Sequence, residues 1–103
     1  ALFSKPGLIP AQFSLGQNYP NPFNPTTNIN FSVASDSKVS ILIYNMLGQK
    51  VKTLADNSDF RSGKYSLKWD SSNDNGELVS AGVYIMHMVA KGFNESRKMI
   101  LLK

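Results

Sequence analysis

The chain has 103 residues of average globular composition, and that length fits one domain with one modest core. It has no cysteine, which excludes disulfides and thiolate metal sites, and no apolar run nears the roughly 20 residues of a membrane-spanning helix. The net charge of +4, from 11 Lys and Arg against 7 Asp and Glu, is spread too thinly for a nucleic-acid-binding stripe, although Lys91, Arg97, Lys98 and Lys103 form a local excess.

The chain opens neither on Met nor on a signal-peptide pattern, so it is expected to be a piece of a longer protein. Residues 1–12 hold Pro6, Gly7 and Pro10 without a sustained period and are expected to form a linker or N-terminal arm. Residues 13–103 are expected to form the folded module. Phe13 and Leu15 suit a short edge strand. Pro20, Pro22 and Pro25 then fall within six residues. Each fixes φ, offers no N–H, and pushes Tyr19, Asn21 or Asn24 towards extended geometry. Such a segment suits a sheet edge or a crossover between sheets. Pro22-x-x-Pro25 also matches the PxxP ligand pattern, but the segment runs straight into a strand pattern. A structured opening with Phe23 packed under the domain is therefore expected, contributing about 1.5–3 kcal/mol by burial.

Period two begins at Asn28, with Ile29, Phe31 and Val33 on one face and Asn30 and Ser32 on the other. After the turn formers Ala34 to Lys38, Val39, Ile41 and Ile43 alternate with Ser40, Leu42 and Tyr44. The second face is also fairly apolar, which predicts a central strand covered in part on both sides. Gly48 can take the positive φ of a tight hairpin turn, and Lys50 to Leu54 resume as a short strand. Residues 55–63 are expected to be a loop, leading into a strand with Tyr65, Leu67 and Trp69 on one face. The stretch Asp70 to Gly82 is dense in turn formers. Val83 to Lys91 predicts another strand, Gly92 to Glu95 a turn, and Ser96 to Lys103 a final strand. No segment has helical apolar spacing between caps. Six strands with a possible seventh, separated by frequent turns, predict an all-β antiparallel sandwich.

Candidates for chemistry are few. His87 is the only histidine and shares a strand face with Val83, Ile85 and Val89, without a base or acid partner in the pattern. Asp70, Asn73, Asp74, Asn75 and Glu77 supply oxygens of the kind calcium prefers, but their spacing departs from that of an EF-hand loop. Asn75-Gly76 is also a strong turn signal, so a hairpin-like connection with Asx turns is the stronger expectation. Trp69, in phase with Tyr65 and Leu67, is expected on the core face, and no spacing of aromatics builds a sugar-stacking row. No cofactor and no catalytic residue is expected.

The order of motifs is more specific than any one of them. Asn18-Tyr19-Pro20-Asn21-Pro22-Phe23-Asn24-Pro25, Ile43-Tyr44-Asn45-x-x-Gly48-Gln49, Trp69-Asp70 and Gly82-Val83-Tyr84 follow one another from residue 13 to 103. This series resembles the C-terminal sorting domain of type IX secretion cargo, which is related to the immunoglobulin-like domain of the flagellar hook-capping protein. The resemblance implies an immunoglobulin-like antiparallel β-sandwich of about seven strands, with no substantial helix. It places the family's Pro-Asn-Pro motif on Pro20 to Pro22 and its Gly-x-Tyr on Gly63 to Tyr65 or Gly82 to Tyr84. Its basic-apolar terminal strand falls on Lys98 to Lys103, and the chain ends where such cargo ends. It implies a non-catalytic sorting module at the end of a larger exported protein of a Gram-negative-type bacterium, secreted or held at the cell surface by way of the periplasm. The implied partners are the outer-membrane secretion apparatus and an N-terminal cargo domain of the same chain. The alternative is an accessory immunoglobulin-like module that binds polysaccharide or acts as a spacer.

Overall fold

The computed structural model describes residues 10–102. Seven strands follow in chain order: β1 (Ser14–Leu15), β2 (Thr27–Val33), β3 (Ser37–Asn45), β4 (Lys50–Phe60), β5 (Gly63–Trp69), β6 (Gly82–Ala90) and β7 (Phe93–Leu101). They form a three-stranded sheet, β1-β2-β5, and a four-stranded sheet, β4-β3-β6-β7, with every strand pairing antiparallel. Among the described residues there is no helix. The expected all-β sandwich is the observed architecture. Residues 1–9 of the expected 1–12 linker lie outside the described residues.

The core is the sum of the inward faces that period two predicts. Leu15, Ile29, Phe31 and Val33 from one sheet meet Val39, Ile41, Ile43, Met86, Met88 and Met99 from the other, all fully or almost fully buried. Three of these are methionines, whose unbranched side chains fill the gaps that β-branched neighbours leave. β3 and β6 form the centre of the larger sheet.

Two boundaries differ from the sequence expectation. Residues 55–60 continue β4 instead of forming a loop. The strand is an edge whose pairing with β3 shifts register three times, and Asn57 sits at a φ of 49°. An irregular edge with Asp56 to Asp59 exposed has no apolar alternation to reveal it. Likewise β7 starts at Phe93, because Lys91 and Gly92 alone make the turn between Ala90 and Phe93.

Candidate functional site

One pole of the sandwich collects most of the singled-out residues. β2 begins there, β5 and β7 end there, β3 turns into β4, and the 70–81 connection runs into β6. The proline segment, 16–26, closes over this pole between β1 and β2.

Its prolines occupy positions that need no donor. Pro20, Pro22 and Pro25 are exposed, while the residues around them bind the rest of the domain. Asn21 Oδ1 accepts from the Ile100 N–H at 3.0 Å. Phe23 bridges Leu101 in parallel, donating to Ile100 O at 3.0 Å and accepting from the Leu102 N–H at 2.9 Å. Gln17 Nε2 donates to Lys98 O at 2.8 Å. The segment therefore covers the outer edge of β7 over Lys98, Ile100 and Leu102, much as an added strand would. Asn24 is exposed beside Pro25, whose carbonyl accepts from the Ser71 hydroxyl.

Beneath the segment lies a small polar clip. Asn18 and Thr27 are both buried, and Asn18 Nδ2 donates to Thr27 Oγ1 at 3.0 Å and Pro20 O at 3.2 Å. Thr27 Oγ1 donates to the same carbonyl at 2.8 Å. Buried polar groups persist when each finds a partner, and here they fix one bend of the chain. Sequence reasoning missed both residues, because a polar side chain within a turn-rich stretch reads as solvated.

Phe23, Trp69 and Tyr84 come from three distant segments and meet as one buried cluster. Trp69 sits between the others, 5.6 Å from Phe23 and 5.4 Å from Tyr84 by ring centroids. Each polar tip is satisfied: Trp69 Nε1 donates to Ser72 O at 2.9 Å and the Tyr84 hydroxyl to Ser80 O at 2.5 Å. Both acceptors lie on the 70–81 connection, so the cluster also fixes that loop. Gly82 opens β6 beside it, and Gly48 stands in the β3–β4 turn at a φ of 81°. There Asn45 Oδ1 accepts from the N–H groups of Leu47 and Gln49. A side chain at residue 48 would be strained in that conformation.

The five oxygen-bearing residues of the 70–77 stretch stay in one loop, where the side-chain oxygens of Asp70 and Asn73 serve its backbone. Asp70 Oδ1 accepts from the Ser72 N–H and hydroxyl, at 3.1 and 2.6 Å. Asn73 Oδ1 accepts from the N–H groups of Asn75 and Glu77, an Asx-type turn around Gly76. Asn73 Nδ2 reaches Glu77 Oε1 at 3.3 Å. The Asp74 carboxylate reaches away to β4, accepting from the Thr53 N–H at 2.9 Å and hydroxyl at 3.2 Å. Among the described residues no group of three or more His, Asp or Glu side chains is placed to hold a metal. The Ser72 donors hold the Asp70 carboxyl below the usual carboxylate range, and the Thr53 N–H does the same for Asp74.

Large apolar side chains stand exposed at this pole among polar ones such as Asn21, Gln49, Asp74 and Glu77. Tyr19, Met46, Leu47, Leu78, Ile100 and Leu102 are between 40% and 83% exposed, and Val89 is the one other large apolar residue this exposed among those described. A shallow notch of about 110 Å³ runs between Asn24, Pro25, Leu78, Val79, Leu101 and Leu102. The opposite pole, with Asp36, Lys38, Asp59, Arg61 and Lys91 at its turns, is polar and holds the Lys38–Asp59 ion pair at 2.9 Å. The chain enters β1 from that polar pole, where Phe13 stacks on Phe93 at 6.0 Å. His87 belongs to neither pole: it lies on the outer face of the larger sheet beside Leu42 and Ser96, its Nε2 against Asn94 Oδ1. The Lys98 side chain is exposed on β7, and Lys103 lies outside the described residues.

Residues 17–102 match the family model described as the secretion system C-terminal sorting domain. No curated protein matches the chain. Among solved structures the chain is similar to dimeric latent PorU from Porphyromonas gingivalis, with 22% identity and a TM-score of 0.70. That match covers 93% of this chain and 10% of the PorU chain. It is also similar to PorZ, a surface component of the type IX secretion system of the same bacterium, with 18% identity and a TM-score of 0.56. Here 88% of this chain and 11% of the PorZ chain are covered. Both likenesses are of fold, and the chain spans about a tenth of either protein.

Proposed function

The chain belongs to the secretion system C-terminal sorting domain family, and from that premise we propose that the secretion apparatus of the outer membrane recognises it as a folded signal on a larger exported protein. A sorting role and a secreted or cell-surface destination come with the family. The finer reading is that recognition takes place at the apolar pole, with the cargo domain of the same chain preceding β1 at the other. It is carried by one observation: the large exposed apolar residues of the proline segment, the β3–β4 turn, the 70–81 connection and the end of β7 all lie at one pole, opposite the point where the chain enters β1. An apolar patch concentrated at one end of a small domain marks a contact surface.

Non-catalytic action fits this surface, since contact through Tyr19, Met46, Leu47, Leu78 and Leu102 needs no reacting group. The polysaccharide-binding alternative draws no support from Trp69 or Tyr84, which are buried and offer no ring face to a sugar. A reporter with a periplasmic export signal, fused ahead of this domain, tests the proposal. The fusion is expected on the cell surface or in the medium, and the reporter without the domain in the periplasm. Equal export of both would overturn the reading.

A further inference from the structure

The two seams of the sandwich are finished differently. On one side β1 lies beside β7, Arg97 Nε donates to Leu15 O at 2.8 Å, and the proline segment covers the end of the β7 edge. On the other side, β4 and β5 are both edges and do not pair with each other. The first half of the β4 edge is covered by Asp74, whose N–H donates to Val51 O at 3.0 Å and whose carboxylate takes the Thr53 N–H. Nothing among the described residues covers β5 in this way.

The free groups of β5 follow from its neighbour. Asn28 and Asn30 bond to Tyr19 and Gly16 on the β1 side of β2. In an antiparallel ladder the alternate residues then bond to β5, so Asn28↔Lys68, Asn30↔Ser66 and Ser32↔Lys64 are the non-hydrogen-bonded pairs. The N–H and C=O groups of Lys64, Ser66 and Lys68 therefore point outward from the sheet in a regular row. Register along β5 is unbroken from Gly63 to Trp69. The two strands flanking this seam also carry half-buried apolar side chains packed against the core, Tyr65 and Leu67 from β5 and Leu54 and Phe60 from β4.

We propose that the β5 edge accepts an extended acidic segment of another protein as a fourth strand of the smaller sheet. Main-chain bonds to a free edge supply affinity in such strand addition, and alternate side chains supply selectivity. Lys64 and Lys68 are exposed on the outer face, and neither forms an ion pair among the described residues. They face the outward residues of an added strand, where opposite charges stabilise and like charges repel. Antiparallel pairing of β5 with its own copy about Ser66 sets Lys64 against Lys68, which disfavours a second copy as the occupant. Inward residues of the added strand meet Leu67 and Leu54, so the fitting segment alternates acidic with apolar. This proposal stands apart from the sorting role, because it uses a different surface.

Two peptides of about eight residues, one alternating Glu with Val and one Lys with Val, test it against the full chain by titration and amide hydrogen exchange. The Glu peptide is expected to bind at least roughly tenfold tighter, and to slow exchange at Lys64, Ser66 and Lys68. Ser66→Pro removes the central donor at an edge position that tolerates proline, and should abolish binding that Ser66→Ala retains. The double variant Lys64→Glu, Lys68→Glu should reverse the peptide preference whether or not Ser66→Pro folds. Equal binding of both peptides, unchanged exchange along β5, or an unreversed preference would overturn the proposal. So would a dimer of the free chain that Ser66→Pro dissociates, which would assign the edge to a second copy.

Discussion

Phe23 shows how one side chain can organise a segment whose backbone has few donors. Its ring lies against Trp69, while its N–H and C=O both bond to the end of β7. Phe23→Ala removes the ring and leaves a cavity at the junction of three segments. The expected loss is about 3–5 kcal/mol of unfolding free energy, measured by denaturant titration. Asn18→Ala removes the donor to the buried Thr27 Oγ1 and should destabilise by about 1–3 kcal/mol. Amide exchange should then rise at Tyr19 and Asn28, whose reciprocal bonds of 2.9 Å hold the start of β2 to the segment. Phe23 was visible in the sequence as a large apolar residue without a polar tip, set among prolines and asparagines. Asn18 was not, because nothing in its neighbours reveals a side chain turned inward onto Thr27.

At the scale of elements, the 70–81 connection is fastened to β4 through Asp74. Asp74→Ala should leave the sheets paired, raise the exchange rate of the Thr53 amide, and lower the melting temperature at neutral pH. The pH dependence has a definite sign. The folded state holds Asp70 and Asp74 more acidic than the unfolded chain does, so the unfolded state binds more protons in the acid range. Their stabilisation is complete above the ordinary carboxylate range and lost as pH falls through the depressed folded values. The melting difference between Asp74→Ala and the parent chain should therefore shrink below about pH 4, as thermal melts across a pH series would show. β4 illustrates what period two cannot find. Lys50 to Leu54 was legible, whereas Asp56 to Asp59 are four successive exposed residues around a register shift between Ala55 and Ser58, and show no alternation before the half-buried Phe60.

Among the described residues, six of the seven large exposed apolar side chains lie at one pole, all but Val89, and that asymmetry carries the functional reading. Leu47→Glu with Leu78→Glu adds charge at two exposed positions and should change unfolding free energy by less than about 1 kcal/mol. Export of a fused reporter should nonetheless fall, as fractionation of cells and medium would show. Unchanged export by a folded double variant would place recognition elsewhere on the domain.

Alternation of Ile29, Phe31 and Val33, of Val39, Ile41 and Ile43, and of Tyr65, Leu67 and Trp69 was enough to determine an all-β sandwich. Inward faces are set by local backbone geometry and solvent, and both are written along the chain. The ordered motifs around Phe23, Gly48, Trp69 and Tyr84 pointed to the family as well. What those motif residues do was decided only by tertiary structure. Phe23, Trp69 and Tyr84 come from the proline segment, β5 and β6 and become one cluster only where these elements meet. The apolar pole arises in the same way, since Tyr19, Leu47, Leu78 and Leu102 are far apart in sequence and share one end only because three connections and the end of β7 lie there. The open β5 edge depends on strand order, which is fixed by long-range pairing and leaves no mark in the residues of β5 themselves.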